Sequence, residues 1–232
     1  GLLSSPSENP PSSGVSTELR ASVFGRSAPQ LAEPQLASNP SVYFAGDPTD
    51  EEQLLLEMVN RARKDPVAEA ARFAAETDPS ILNAYRFWGV DLNVMKTEFA
   101  SLSKGQPLAM NPLLLQTARG HSAWMFTNAV QSHEEGALGP GARLDAAGYL
   151  YNAWGENVYA FTENPLHAHT GLDVDWGSGP SGMLPGRGHR ANIHEPFFRE
   201  AGIGLVFGRN GEVGPMIVTE DFGAGRSGLP FV

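Results

Sequence analysis

The sequence predicts an α+β fold, with a sheet covered by helices, and three observations predict it. Apolar residues recur at helical spacing in the first half, as Leu54, Leu55, Met58, Val59 and Ala62, and again as Leu114, Ala118, His121 and Met125. Near the C-terminus the period changes to two. Ile203, Leu205 and Phe207 alternate with Gly202, Gly204 and Val206, and Met216, Val218, Glu220 and Phe222 alternate with Ile217, Thr219 and Asp221. Between these runs stands Asn210-Gly211, a strong signal for an antiparallel hairpin. Helices early and strands late describe an α+β arrangement.

Residues 1–46 read as a tail or linker, and residues 47–232 as one domain. The first sixteen positions hold six Ser and three Pro, a composition that buries too little apolar surface to offset the entropy of ordering. Val42, Tyr43 and Phe44 form the first apolar cluster and are expected to dock on the body. Thr49 and Glu52 form a capping box for the first helix, and Asp65-Pro66 ends or restarts it. Asp78-Pro79 reads as a turn, and residues 91–102 as a short helix. Asn111-Pro112 starts a helix that ends near Ala129, a short helix is expected around Arg143 to Ala147, and Asn164-Pro165 opens another that runs to Asp175. A Gly-rich loop follows, with Pro180 and Pro185.

Composition narrows the function. Sixteen Lys and Arg against 26 Asp and Glu give a formal charge of -10, which repels polyphosphate and excludes a general nucleic-acid or anionic-membrane binder. The absence of Cys excludes a disulfide scaffold, an iron–sulfur cluster, a thiolate zinc site and a Cys nucleophile. No apolar run approaches the roughly 18 residues of a transmembrane helix.

Six His carry most of the chemical information. His133 lies in Gln131-Ser132-His133-Glu134-Glu135-Gly136, and His189 in Gly188-His189-Arg190 at the start of a short helical run. Glu156 lies in Gly155-Glu156-Asn157. Glycine lets backbone approach a cavity, and loops commonly carry function. His121, on an apolar helix face, reads as a core residue bonded to backbone. His167 and His169 are two apart and point to different faces. His194 reads as a helix-end residue. Trp88, Trp124, Trp154, Trp176, Phe197, Phe198, Phe207 and Phe222 read as core, while Tyr149, Tyr151, Trp154 and Tyr159 flank Glu156 as possible groove walls. The sequence lacks a G-x-S-x-G elbow, an H-E-x-x-H helix and a phosphate loop.

Taken in order, several segments resemble the CAP superfamily of cysteine-rich secretory, antigen 5 and pathogenesis-related 1 proteins, the SCP-like domains. They are Asp47 to Pro66, His121-Ser122, Ser132-His133, Gly155-Glu156-Asn157, Gly188-His189-Arg190-Ala191-Asn192-Ile193 and Thr219-Glu220-Asp221-Phe222-Gly223. The likeness spans about residues 47 to 225, and the lack of Cys resembles the bacterial branch.

That resemblance implies a three-layer α-β-α sandwich with a central antiparallel sheet, and a secreted protein whose signal peptide has been removed. It implies a cleft where His133, Glu156 and His189 hold a divalent metal. A second acid of the cleft has no clear match, and Asp173 or Asp175 could substitute.

Two imidazoles and a carboxylate form a first-row metal set, zinc foremost, with an open position for water. Without metal the trio could do acid–base work, or it could crosslink loops around the cleft. Calcium is a further expectation near Asp173 and Asp175. The leading functional expectation is a secreted domain whose cleft takes a small-molecule, lipid or peptide ligand. The alternatives are a metal-dependent hydrolase in which Glu156 ligates or activates water, and an interaction module tethered by residues 1–46.

Overall fold

The computed structural model describes residues 44–226. Among them are eight α-helices: α1 (Asp50–Lys64), α2 (Pro66–Ala74), α3 (Pro79–Trp88), α4 (Leu92–Phe99), α5 (Pro112–Asn128), α6 (Pro140–Ala146), α7 (Pro165–Val174) and α8 (Gly188–His194). Four strands accompany them: β1 (Ala109–Met110), β2 (Tyr151–Thr162), β3 (Glu200–Phe207) and β4 (Met216–Gly225). The sheet runs β1-β3-β4-β2, antiparallel except for the short parallel pairing of β1 with β3. None of these helices is long and apolar enough to cross a membrane.

The alternation along β4 sets the layers. Met216, Val218 and Phe222 pack with Leu55 and Val59 of α1 and Ala168 and Leu172 of α7. Ile217, pointing the other way, packs with Met125 of α5. Helices therefore cover both faces, which gives an α-β-α sandwich, and β4 is buried over residues 216–224 because it has a neighbour on every side. Gly202 and Gly204 alternate on β3 for a steric reason. A Cβ at either position would lie 1.9 or 2.1 Å from the α5 backbone, so α5 rests directly on the strand.

The helix ends form as their sequences predict. Thr49 Oγ1 accepts from Glu52 N–H at 3.2 Å and Glu52 Oε2 accepts from Thr49 N–H at 2.8 Å. Asp65 caps α2, Asn111 caps α5 and Asn164 caps α7 through backbone N–H groups. α5 ends at Ala129 and α7 at Asp175, both in the left-handed region.

Five expectations need correction. Asp78-Pro79 opens a helix, because Asp78 Oδ1 accepts from Ser80 N–H at 2.8 Å and Pro79 takes the first helical position. The segment around Glu156 is the twelve-residue strand β2. The β3–β4 hairpin exists, but residues 208–215 make a wider connection in which Asn210 and Val213 exchange hydrogen bonds at 3.2 Å. Phe44 is 70% exposed rather than docked; Val42 and Tyr43 lie outside the described residues, as does most of the 1–46 segment. Of the aromatic residues read as core, Trp176, Phe198 and Phe222 are buried, while Trp88, Trp154, Phe197 and Phe207 are exposed.

One buried cation ties the layers to α8. Arg63 is fully buried and donates to the carbonyls of Gln106 at 2.8 Å, Ile193 at 2.7 Å and Glu195 at 2.9 Å. Burial pulls its guanidinium down to about 10.

Candidate functional site

The site is built around the β2 edge of the sheet. Successive side chains of a strand point to opposite faces, so Glu156 and Asn157 diverge. Glu156 lies on the α5 side, as do Val158 and Ala160, which pack with Met125. Asn157 faces α8, where its Nδ2 donates to Glu220 Oε2 at 3.0 Å and to the His189 carbonyl at 3.2 Å. Asn192 of α8 donates to the Glu156 carbonyl at 3.1 Å and to Asn157 Oδ1 at 2.9 Å, locking the helix to the strand.

His133 stands on the loop after α5. Its Nδ1 bonds Glu156 Oε1 at 2.7 Å. Arg143 of α6 occupies Glu156 Oε2 and donates to the His133 carbonyl at 2.8 Å. The loop itself is pinned by His121, whose Nδ1 bonds Glu135 Oε1 at 2.8 Å and whose Nε2 bonds the Ser132 carbonyl at 2.7 Å. His121 is therefore a buried structural residue, with a carboxylate as well as a backbone partner.

His189 opens α8. Its Nδ1 bonds Asp175 Oδ1 at 2.7 Å, and its backbone N–H donates to Asp175 Oδ2 at 3.0 Å. Asp175 reaches this position because it caps α7 with φ of 59°. Both His thus share one pattern. Nδ1 faces a buried carboxylate, and Nε2 has no hydrogen-bond partner among the described residues. In the neutral ring a carboxylate acceptor draws the proton to Nδ1 and leaves Nε2 as a lone pair.

The expected trio is thus distributed over two pairs. His133 and Glu156 meet, whereas His189 is held by Asp175. Among the described residues no group of three or more His, Asp or Glu is arranged to hold a metal ion. Both Glu156 oxygens are engaged by protein partners, Oε1 by His133 and Oε2 by Arg143. Asp173 and Asp175 part company as well. Asp173 Oδ1 bonds His194 Nε2 at 2.9 Å, while both Asp175 oxygens serve His189. His194 ends α8 as read, yet it is buried.

The pairing of His133 with Glu156 raises an electrostatic question on β4. Asp221 is the register partner of Glu156 and is buried beside it. Burial pushes the Asp221 carboxyl well above the usual carboxylate range, and the Glu156 charge adds to this. Thr117 of α5 donates to Asp221 Oδ2 at 2.6 Å.

Next to His189 lies an apolar cavity of about 240 Å³. Trp88, Tyr159, Phe161, Trp176, Leu184 and His189 are among its walls. Trp176 Nε1 donates to Tyr159 Oη at 3.1 Å, and His167 packs its ring against both, backing these two wall residues without lining the cavity itself. Burial lowers the His167 pKa. His169 points elsewhere, to Glu69 Oε1 at 3.0 Å, and the two His share no site. Tyr159 lines this cavity beside His189, whereas Tyr149, Tyr151 and Trp154 do not, and Tyr149 is buried with its hydroxyl donating to Glu200 Oε2 at 2.7 Å. In the sequence Arg143 stands out only as the start of a short helix and Gln131 only as a flank of His133, because their partners, Glu156 and the Ala160 N–H, are brought to them by the fold.

No family model matches the chain, and no curated protein matches it. Two solved structures are similar to it. One is an extracellular protein containing a SCP domain from Bacillus anthracis str. Ames, at 22% identity over 64% of this chain and 44% of that one, with a TM-score of 0.40. The other is Schistosoma mansoni venom allergen-like protein 4, at 9% identity over 78% of this chain and 92% of that one, with a TM-score of 0.42. The matched region thus spans less than half the length of the Bacillus anthracis protein.

Proposed function

We propose that this chain is a secreted CAP-type domain that binds a ligand at the β2 edge, with a divalent ion, zinc foremost, held at Nε2 of His133 and His189. The observation that carries the reading is the repeated pair, Nδ1 on a buried carboxylate, at both motif histidines. Such a carboxylate fixes the ring, its tautomer and its basicity, which is the support metal-bound imidazoles use. When bound, the ion supplies a Lewis acid with positions open to a ligand atom. The protein's own contribution is orientation. Glu156 and Arg143 hold His133, Asp175 and the α8 backbone hold His189, and the neighbouring cavity accepts an apolar part of the ligand.

The hydrolytic alternative gains no support from Glu156 as a base, since both its oxygens are bonded. Calorimetric titration with zinc tests the reading. The parent should bind, His133→Ala with His189→Ala should lose binding, and Asp175→Asn should weaken it about 10-fold or more. A double variant that binds zinc as the parent does would overturn the reading.

A further inference from the structure

Behind the cleft, between α7, α8 and β4, five buried polar atoms have no hydrogen-bond partner among the described residues. They are His169 Nδ1, Thr170 Oγ1, Asp173 Oδ2, His194 Nδ1 and Glu220 Oε1. Natural interiors rarely leave such atoms unpaired, and each calls for an explanation. Here the atoms belong together. His169 and Asp173 are one helical turn apart on α7, with Thr170 three positions before Asp173, so all three lie along one stripe. His194 reaches the same stripe through its Nε2 bond to Asp173. Glu220 projects from β4 toward this side, where Asn157 holds its other oxygen, and it lies within electrostatic reach of His169 and Asp173.

The chemistry of the five atoms specifies their guest. His169 and His194 each use Nε2 on a carboxylate, so their Nδ1 atoms are acceptors. Asp173 Oδ2 is an acceptor too, and burial raises the Glu220 pKa, favouring its neutral form. Three of the five places therefore centre on lone pairs that ask for a donor, while Thr170 and the neutral Glu220, whose Oε2 accepts from Asn157, can give or take. A metal ion would need these groups around one point, and among the described residues no such group of three is found. Water suits groups that share a region without sharing a centre, because one molecule donates twice, accepts, and can pass the bonding on to a second.

We infer that ordered water occupies the interior between α7, α8 and β4, bound to His169, Thr170, Asp173, His194 and Glu220. This layer lies directly behind Asn157, which also holds the His189 carbonyl. It therefore supports the wall of the cleft while remaining separate from the two carboxylate–imidazole pairs. The inference does not depend on a metal or a ligand in the cleft.

A high-resolution crystal structure of the full chain tests it. The expected result is water density within hydrogen-bond distance of at least three of the five atoms. Absence of density there would overturn it, and so would a rubidium anomalous peak after soaking, which would assign the place to a cation. Thr170→Val adds a solution measurement at constant side-chain shape. Replacing a water-bonded hydroxyl should lower the melting temperature, whereas replacing an unbonded one should raise it. A raised melting temperature would remove Thr170 from the site and count against a hydrated interior.

Discussion

Glu156 and Asp221 stand opposite one another on β2 and β4, both buried and on the same face of the sheet. Like charges placed directly across two strands repel, and burial sharpens the conflict. The structure divides the roles. Glu156 takes the cationic partners, Arg143 and His133, while Asp221 is left with the Thr117 hydroxyl and a raised pKa.

A pH signature follows from that division. A carboxyl whose folded pKa lies above its unfolded value binds more protons when folded, so stability falls as pH rises between the two values. For Asp221 the fall begins near the ordinary value of 3.8 and continues up to its raised folded pKa. Asp221→Asn keeps an acceptor for Thr117 and removes the titration. Melting curves from acid to neutral pH should show the variant gaining on the parent as pH rises. A difference that stays constant with pH would show that Asp221 does not titrate in this way.

Arg143 should be among the costliest side chains to remove. Its partner Glu156 is almost completely buried, and Arg143→Leu leaves that carboxylate with only the half-exposed His133. Breaking a buried pair from one side costs about 3–5 kcal/mol. Urea denaturation of parent and variant measures it, and a loss below about 1 kcal/mol would mean that Arg143 contributes little.

Arg63 makes a second buried test. Arg63→Met keeps much of the stem but leaves the Gln106, Ile193 and Glu195 carbonyls without their charged donor. Bonds to charged groups are worth about 1.5–3 kcal/mol each, so the variant should lose at least about 3 kcal/mol. Hydrogen exchange should also quicken at the C-terminal end of α8.

Two glycines on opposite sides of α5, Gly204 on β3 beneath it and Gly120 on its exposed face, should respond in opposite senses. Gly204→Ala drives a methyl to 2.1 Å from the Arg119 backbone nitrogen, so the variant should fail to fold. Gly120→Ala, on the exposed side of the same helix with nothing within 4 Å, should stabilise by about 0.5–1 kcal/mol. Thermal melts of both variants settle the contrast.

Local chemistry made much of this architecture legible. Thr49, Asp65, Asn111 and Asn164 cap helices through bonds spanning two or three residues, which a sequence displays directly. The alternation at 203–207 and 216–222 marks strands because one face meets α5 and the other meets α1 and α7. β2 stayed hidden because Asn152, Gly155 and Asn157 are poor strand formers. Its pairing to β4 is a tertiary fact. The site divides in the same way. His133, Glu156 and His189 stand out beside glycines, but Asp175 as the acid for His189 depends on the left-handed cap of α7, and Arg143 depends on how α6 folds back over the loop.

The account rests on the tautomer that Glu156 and Asp175 impose on His133 and His189. Long-range nitrogen–proton NMR on histidine-labelled protein at mildly alkaline pH reads it directly. Both rings should carry their proton on Nδ1, with the Nε2 signals moving when zinc is added. Rings protonated on Nε2, or Nε2 signals unmoved by zinc, would contradict it.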